Sequence, residues 1–336
     1  VDRRIHTALY KSVLKTYSCV MIERGYHSLF FPGGTRSRSG MIERHLKLGL
    51  AGSALEAFAR NQVKGIRRPV WFVPTTINYA LVLEAETLVE DWLTEEGRGR
   101  YIIEDDEFSQ IDRWFAFFRR LVGLAGACVI RFGRPLDPYG NEVDDQGRSL
   151  SPRGKPLDPA SYVCRGGRPS VDAARDSAYT RELGEELVER YHRESVIMST
   201  HIVAHVLFRH LVRNTPGIDL FTRLRMRGET SMPREDLLRE VGQVRDRLIE
   251  LEQAGRVHVS PFIRSTSPEE AVDRALDVWN GYHSRVAARD LGTAITAEDP
   301  TLLLYYQNRL VSFAEELATA DDVAAAREIH TLGVWR

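Results

Sequence analysis

Residues 28–40 are the most informative part of this chain, and they read Ser28-Leu29-Phe30-Phe31-Pro32-Gly33-Gly34-Thr35-Arg36-Ser37-Arg38-Ser39-Gly40. An apolar run, predicted as a strand over 26–31, stops at a Pro-Gly-Gly turn, and arginines and hydroxyls follow. Glycines allow a positive φ and let the backbone approach a ligand closely. Arginine offers a planar fork of donors that fits phosphate oxygens. The stretch therefore predicts a loop that holds a phosphate on a small molecule.

The spacing of this loop does not fit a nucleotide-binding P-loop. Five residues, not four, separate Gly34 from Gly40, and Met41 stands where the P-loop lysine is required. A solvated basic loop is the plain alternative, since most Gly-rich turns after strands are only connections. The residue types alone leave both interpretations open.

The predicted elements around the loop alternate between helix and strand. Apolar spacing predicts helices at 4–24, 46–61 and 83–93, and strands at 26–31, 69–75 and 127–132. This order is typical of an α/β fold with a parallel or mixed sheet. Residues 136–176 lack apolar periodicity and predict a long loop or inserted arm. From Asp219 onward helices are predicted, among them one from Pro233 to Gly255, together with one short strand at 257–260. We therefore expect an α/β domain over 1–214 and a helical domain over 215–336.

Composition is ordinary for a globular protein, but charge is unevenly distributed. Of 336 residues, 43% are hydrophobic and 28% are charged, and the formal net charge is -1. Residues 1–70 hold 13 Lys or Arg against 4 Asp or Glu. A basic front part suits a phosphorylated substrate, a coenzyme A thioester or an anionic membrane surface. A helix with a solvated basic face explains the same count.

Neither a transmembrane helix nor a signal peptide is predicted. The best apolar run, residues 70–83, contains Pro74 and Asn78 and falls below the ~20 residues that span a bilayer. The charged start of the chain is not followed by an apolar segment. The three cysteines, at 19, 128 and 164, have no disulfide-framework or metal-ligand spacing, which favours a reducing compartment.

Residues 111–124 are the segment that suggests contact with lipid. They hold four aromatic residues beside three arginines: Trp114, Phe115, Phe117 and Phe118, with Arg113, Arg119 and Arg120. Aromatics on several sides of a helix, flanked by arginines, suit a membrane interface. They equally suit a helix that covers an acyl-chain groove, and a plain core helix explains them too.

Two further patterns carry weaker hypotheses. His201 and His205 lie one helical turn apart and form a possible metal pair, but no third ligand is evident, so a structural role is favoured. A helix, turn and short strand over 233–260 suggest a winged DNA-binding unit, but the helix has no concentrated basic face. We therefore expect no metal site and no nucleic-acid partner.

Four stretches resemble the glycerol-phosphate acyltransferases. Gly34–Gly40 is similar to the third sequence block of that family, Glu-Gly-Gly/Thr-Arg-Ser-Arg-Thr/Ser-Gly, and this match is the specific one. Val73–Tyr79 looks like the fourth block, Val-Pro-x-x-x-x-Tyr. The arm resembles an insertion in bacterial-type members, and Leu304–Leu310 resembles a Tyr-Tyr-Arg-Asn segment of the larger glycerol-3-phosphate 1-acyltransferases. The resemblance runs from about residue 5 to about residue 320.

The resemblance implies a phospholipid-biosynthetic enzyme that moves a fatty acyl group from acyl-CoA or acyl carrier protein to glycerol 3-phosphate. It implies an acyltransferase-type sheet flanked by helices, followed by a C-terminal all-helical region. It assigns substrate contacts to six residues, namely Gly34, Thr35, Arg36, Ser37, Arg38 and Pro74. No cofactor is implied beyond the acyl donor as co-substrate. The implied location is peripheral, on the cytoplasmic side of a membrane.

The chain departs from the family pattern at the catalytic block. The resemblance implies a His-x-x-x-x-Asp block whose histidine is the general base, yet no histidine here has Asp five positions later. The family places that block well upstream of the third block, and 32 residues precede Gly33. We therefore expect the chain to begin after the catalytic block and to be inactive alone. Gly33 also stands where the family usually has an acidic residue.

Two alternatives remain open at the level of function. The first is a different acceptor, 1-acylglycerol 3-phosphate. The second belongs to another class, a non-catalytic protein of the same fold that binds lipid phosphates or a membrane surface. A His-x-x-x-x-Asp block in the upstream coding sequence would separate an enzyme from such a binding protein.

Overall fold

The computed structural model of the chain describes residues 7–33, 37–95, 128–319 and 323–332. The chain divides into two compact units. Unit 1 comprises Val1–Arg36, Glu43–Thr76 and Arg131–Glu194, and unit 2 comprises Ser37–Ile42, Ile77–Ile130 and Ser195–Arg336. The predicted domain boundary after residue 214 stays a prediction, because compactness alone does not show that a unit folds independently.

The secondary structure is mixed, with short strands between longer helices. The α-helices are α1 (Ala8–Glu23), α2 (Gly49–Val63), α3 (Ala85–Glu95), α4 (Ala173–Glu194), α5 (Ser199–Asn214), α6 (Leu220–Leu224), α7 (Arg234–Gln253), α8 (Pro261–Ser265), α9 (Pro268–Tyr282), α10 (Pro300–Gln307) and α11 (Val323–Leu332). The strands are β1 (Thr75–Tyr79), β2 (Cys128–Phe132), β3 (Ser149–Leu150), β4 (Pro156–Leu157), β5 (Cys164–Arg165), β6 (Arg168–Pro169), β7 (Val196–Ile197), β8 (Ser231–Pro233), β9 (His258–Val259), β10 (Ala288–Asp290) and β11 (Ala294–Ala297). Pro159–Val163 and Asn308–Phe313 are 3-10 helices. The predicted mixed α/β class is confirmed.

Unit 1 is built on α1, α2 and α4. The Thr7 hydroxyl caps α1 by accepting from the Tyr10 amide at 3.3 Å, which satisfies one amide of the first turn. The alanines of α2, at 51, 54, 57 and 59, are almost fully buried, so this face of α2 packs closely against its neighbours. Phe58, Phe72 and Leu183 are among the side chains of the common core.

The arm over residues 136–176 is ordered in unit 1 by hairpins and a polar turn. β3 pairs with β4 and β5 pairs with β6, both antiparallel. The Asp137 carboxylate accepts from the amides of Tyr139 and Asn141 at 2.8 and 3.0 Å. The Tyr139 ring stacks on Tyr162 at 4.4 Å between centroids. The sequence predicts an arm here without predicting this internal structure.

Unit 2 is built around α5, which is buried on nearly every side, as expected of a central helix. Helices α7, α9 and α10 pack against it. The C-terminal region is not all-helical, contrary to the expectation from the sequence, and the short strand predicted at 257–260 is confirmed as β9. β8, β11 and β10 form a three-stranded antiparallel sheet with β11 in the middle, and β7 pairs in parallel with β9.

The strands around the fourth block also differ from the prediction. The predicted strand at 69–75 is displaced, since β1 begins at Thr75 and pairs with β2. The predicted strand at 26–31 is wrong, because these residues belong to no strand of the described structure. Phe30 packs instead against the apolar core of unit 1, so burial of an aromatic side chain replaces strand pairing.

Candidate functional site: a phosphate-binding loop and its supports

The predicted phosphate loop is closed at its base by one backbone hydrogen bond. The Lys47 amide donates to the Pro32 carbonyl at 2.7 Å in unit 1. Three of the predicted ligands, Gly34, Thr35 and Arg36, lie outside the described residues.

Hydroxyl groups hold the second half of the loop in a compact turn. The Ser37 hydroxyl donates to the Met41 carbonyl at 3.2 Å, and the Met41 amide donates to the Ser39 hydroxyl at 3.3 Å. Ser37 is exposed, whereas Arg38 is partly buried. The serines therefore shape this turn, and the substrate roles of Ser37 and Arg38 stay predictions.

Gly40 ends the loop against the backbone of the Tyr305–Arg309 segment. Its φ is +77°, and a Cβ there would collide with the Tyr305 carbonyl oxygen. The Asn308 side-chain amide donates to the Ser39 carbonyl at 2.7 Å. Gly40 and the Tyr-Tyr segment come from separate stretches of the predicted resemblance. The structure brings them into contact within unit 2.

Arg309 follows Asn308 and lies close to two buried aromatic groups. Its Nε is fully enclosed and has no hydrogen-bond partner in the described part of the chain. Burial lowers the pKa of Arg309, and the Tyr305 phenol partly offsets this effect. Burial raises the pKa of Tyr305 to about 12. The positive charge also opposes protonation of His201.

The fourth block, Val73–Tyr79, is braced by its polar side chains. Pro74 is buried in unit 1, and its carbonyl accepts from the Gly133 amide at 2.7 Å. In unit 2, the buried Asn78 accepts from the Val196 amide at 3.0 Å and donates to the Val129 carbonyl at 3.2 Å. These contacts fix the backbone around β1. The predicted substrate contact of Pro74 is a separate matter and stays a prediction.

Glu43 lies beside Gly33, where the acyltransferase family has an acidic residue. A Cβ on Gly33 would lie 2.5 Å from the Glu43 Oε2 atom. Burial raises the pKa of Tyr191 to about 12, and the negative charge of Glu43 adds to that rise. The space left by the missing side chain therefore accommodates a carboxylate from ten residues further along the chain.

His201 and His205 of α5 are buried in unit 2. The His201 Nδ1 atom accepts from the Met198 amide at 3.2 Å, so this ring closes the start of the helix. Burial lowers the pKa of His201 and of His205 to about 3, so both rings are neutral at pH 7. Within the described ranges, no group of three or more His, Cys, Asp or Glu side chains could hold a metal ion.

A buried network that the sequence does not predict anchors the Tyr305–Arg309 segment. The Tyr306 hydroxyl accepts from the Val82 amide at 3.1 Å and donates to the His283 Nε2 atom at 2.8 Å. The Glu86 carboxylate lies 3.8 Å from the other ring nitrogen of His283. The Tyr-Tyr pattern is the available signal, but nothing in it identifies these partners.

Comparison with known proteins gives partial similarities to glycerol-3-phosphate acyltransferases. A glycerol-3-phosphate acyltransferase of Pseudomonas paraeruginosa is 37% identical over 79 residues, 24% of this chain and 9% of that protein. The same-named protein of Actinobacillus pleuropneumoniae is 30% identical over 128 residues, and that of Pseudoalteromonas translucida is 28% identical over 130. These similarities support the acyltransferase family. No family model matches the chain.

The similarity covers a limited part of this chain and of each relative. The two longer matches cover 38% of this chain and 14% of the relatives' own length. Among the helices described by the structure, none has both the length and the apolarity needed to cross a membrane. The predicted interfacial stretch, Trp114–Arg120, lies outside the described residues.

Proposed function

We propose that this chain carries the acceptor-phosphate half of a glycerol-3-phosphate acyltransferase site. The observation that carries the proposal is the contact between the third-block loop and the Tyr305–Arg309 segment, at Gly40 and Asn308. Both stretches resemble the same enzymes, and the partial similarities to named glycerol-3-phosphate acyltransferases point the same way. A solvated basic loop would need no such support at its end.

The proposed roles follow from the chemistry of the side chains. Arg36 and Arg38 would bind the dianionic phosphate through forked N–H donors, and neutral donors from Thr35 and Ser37 would complete its contacts. Glu43 would supply the carboxylate that Gly33 lacks, because its Oε2 atom reaches that position. Pro74, buried before β1, would shape the wall beside the acyl group.

The reaction needs a general base that the two buried histidines of α5 do not provide. In acyl transfer, the glycerol hydroxyl loses its proton and attacks the thioester carbonyl, and the thiol of the acyl carrier leaves. His201 and His205 are almost completely buried, so neither can reach a substrate hydroxyl. Residues 1–336 also contain no His-x-x-x-x-Asp block. We therefore expect the base to come from another segment or chain.

The co-substrate and location remain part of the proposal. The donor would be acyl-CoA or acyl carrier protein, used as co-substrate without a further cofactor. Attachment to the cytoplasmic side of a membrane would rely on the Trp114–Arg120 stretch and the basic front part of the chain. The acceptor alternative, 1-acylglycerol 3-phosphate, would use the same phosphate contacts.

Calorimetric titration of residues 1–336 with glycerol 3-phosphate tests the phosphate role. Arg36→Ala and Arg38→Ala should each weaken binding by about 10- to 100-fold, the value of a charge-assisted hydrogen bond. The control is Arg256→Ala, which removes an exposed arginine paired with Glu316 at 3.1 Å and should leave binding unchanged. Equal affinities in all four proteins would refute the phosphate role.

A transfer assay separates the enzyme from the non-catalytic alternative. Residues 1–336 should show no acyl transfer from acyl-CoA to glycerol 3-phosphate. A chain extended upstream to include the block should show it. Robust turnover by residues 1–336 would mean that the base lies within them, and an inactive extended chain would favour the binding protein.

A further inference from the structure

The structure assigns to Arg309 a role as an additional ligand of the acceptor phosphate, alongside Arg38. This inference rests on the proposed function and extends it to a residue outside the third block. Both residues belong to unit 2, and Arg309 follows the asparagine that binds the end of the loop. Three observations carry it, namely the missing partner of Arg309, its position and its surroundings.

Arg309 differs from the other deeply placed arginines of unit 2 in its lack of a counterion. The Arg209 guanidinium donates to Glu240 at 2.8 Å, and the Arg223 guanidinium donates to Glu328 at 2.6 Å. Arg309 has no hydrogen bond or ion pair within the described residues, and its Nε is fully enclosed. An enclosed charge without a partner is costly. An anion bound to the guanidinium would offset that cost.

The position of Arg309 places that anion next to the loop. Gly40 packs directly on the Tyr305 backbone, and the Asn308 side chain binds the Ser39 carbonyl at 2.7 Å. Arg309 is the next residue, and its charge acts on the Tyr305 phenol. The loop predicted to hold a phosphate thus ends beside a cation that has no other anion among the described residues.

The groups around Arg309 favour an external ligand over an internal counterion. The charge of Arg309 acts on His201, but His201 is neutral, because burial lowers the pKa of this histidine to about 3. Glu84 acts on the Tyr305 phenol but is not among the groups that act on Arg309. Arg309 is partly exposed as a whole, so a small anion from solvent has access to it. A phosphate monoester, with two charges and several acceptor oxygens, matches a guanidinium fork.

The phosphate could belong to the acceptor or to the coenzyme A donor. Three probes distinguish these sources: inorganic phosphate, glycerol 3-phosphate and adenosine 3′,5′-bisphosphate, which carries phosphate groups on a nucleoside. The inference predicts that Arg309→Met weakens glycerol 3-phosphate binding by about 10- to 100-fold. Binding of the adenosine bisphosphate should change less than twofold. If Arg309→Met weakens binding of the adenosine bisphosphate and leaves binding of glycerol 3-phosphate unchanged, the assignment to the acceptor is overturned.

Thermal unfolding without ligand tests whether Arg309 is instead a structural residue. Arg309→Met should unfold at the same temperature as the parent chain or higher, because it removes an unpaired charge. Arg209→Met should unfold at a lower temperature, because it removes a partner of the buried Glu240. A lower unfolding temperature for Arg309→Met would overturn the inference. An Arg309→Met protein that does not fold counts as the same negative outcome. As a second variant, Arg309→Lys keeps the charge and loses the fork, and it should bind glycerol 3-phosphate with intermediate affinity.

Comparison with the loop arginines separates this inference from the proposed function. If Arg38→Ala weakens glycerol 3-phosphate binding and Arg309→Met does not, the inference fails and the proposed function stands. If Arg309→Met weakens binding and Arg36→Ala and Arg38→Ala do not, Arg309 is an anion ligand and the loop assignment fails. If the parent chain binds neither glycerol 3-phosphate nor inorganic phosphate, both fail. Arg256→Ala again controls for loss of one positive charge.

Discussion

The two ends of the phosphate loop are supported in different ways. Gly40 faces the main-chain carbonyl of Tyr305, which belongs to a packed segment and cannot move without displacing it. Gly33 faces the carboxylate of Glu43, which ends a flexible side chain. A glycine against backbone is a strict requirement, whereas a glycine against a side chain can be exchanged at small cost. The Gly40 end therefore fixes the loop, and the Gly33 end can adjust.

Gly40→Ala should have the largest effect on stability. The substitution forces a residue with a Cβ into φ +77° and drives that Cβ into the Tyr305 carbonyl. Left-handed strain and overpacking together should lower the free energy of unfolding by roughly 2–5 kcal/mol. Denaturant titration followed by circular dichroism measures the loss.

Gly217→Ala is the matched control for this prediction. Gly217 lies in the same unit with φ +76°, and no atom lies within 4 Å of a Cβ placed there. The free energy of unfolding of Gly217→Ala should fall only by the cost of left-handed strain, about 1–2 kcal/mol. Equal losses at Gly40 and Gly217 would show that the Tyr305 carbonyl is not a rigid support.

Acidic pH should destabilise the Tyr305–Arg309 segment, which supports Gly40, by protonating His283. Burial lowers the pKa of His283 from 6.5 to about 4, and the nearby Glu86 partly offsets this. The neutral ring accepts the Tyr306 proton at 2.8 Å, and the protonated ring cannot. The unfolded chain binds the proton first, so stability is complete above pH 6.5 and falls as the pH drops toward 4. The slope from this histidine is roughly 1.4 kcal/mol per pH unit.

Unfolding midpoints at pH 7, 6 and 5 measure this slope. His201 and His205 are also neutral and buried, so they add to the pH dependence of stability in the same direction. His283→Gln should therefore remove only the contribution of His283 to the slope. His27→Gln, a change at an exposed position, should leave the parent slope intact. A His283→Gln protein with the parent slope would show that Tyr306 does not depend on this ring.

Gly33→Ala should have the smallest effect. The new Cβ displaces the Glu43 carboxylate from its place 2.5 Å away, but that side chain can rotate. We expect a loss of about 1 kcal/mol, at the low end for overpacking. The double variant Gly33→Ala/Glu43→Ala should show less loss than the sum of the single changes, because the collision is gone. Strict additivity would mean that the two residues do not meet.

Local sequence patterns predict the helices well and the long-range contacts poorly. Apolar periodicity predicts a helix from Pro233 to Gly255, and the structure has one over Arg234–Gln253. That signal is local and repeats along a whole helix face. The strand prediction at 26–31 fails, because an apolar run does not show whether it pairs in a sheet or packs on helices.

The same limit applies to the candidate site. The resemblance locates the loop and the Tyr305–Arg309 segment separately, but their contact joins residues 269 positions apart. Tertiary packing alone leaves Arg309 without a partner among the described residues. It also brings Glu43 beside Gly33. No spacing rule brings such pairs together, so only the structure identifies them. The three-stranded sheet of unit 2 escapes prediction because its strands are three or four residues long.

The hydrogen bond from Asn308 to Ser39 has a consequence for biosynthesis. The loop leaves the ribosome before the amide that holds its end, because that amide is made 269 residues later. At about 5–20 residues per second, roughly 15–50 s pass between these events. During that interval the nascent chain contains the whole loop without its support at Gly40. Phosphate affinity should therefore appear late in synthesis, and a ribosome stalled before residue 300 would present the loop motif without its binding geometry.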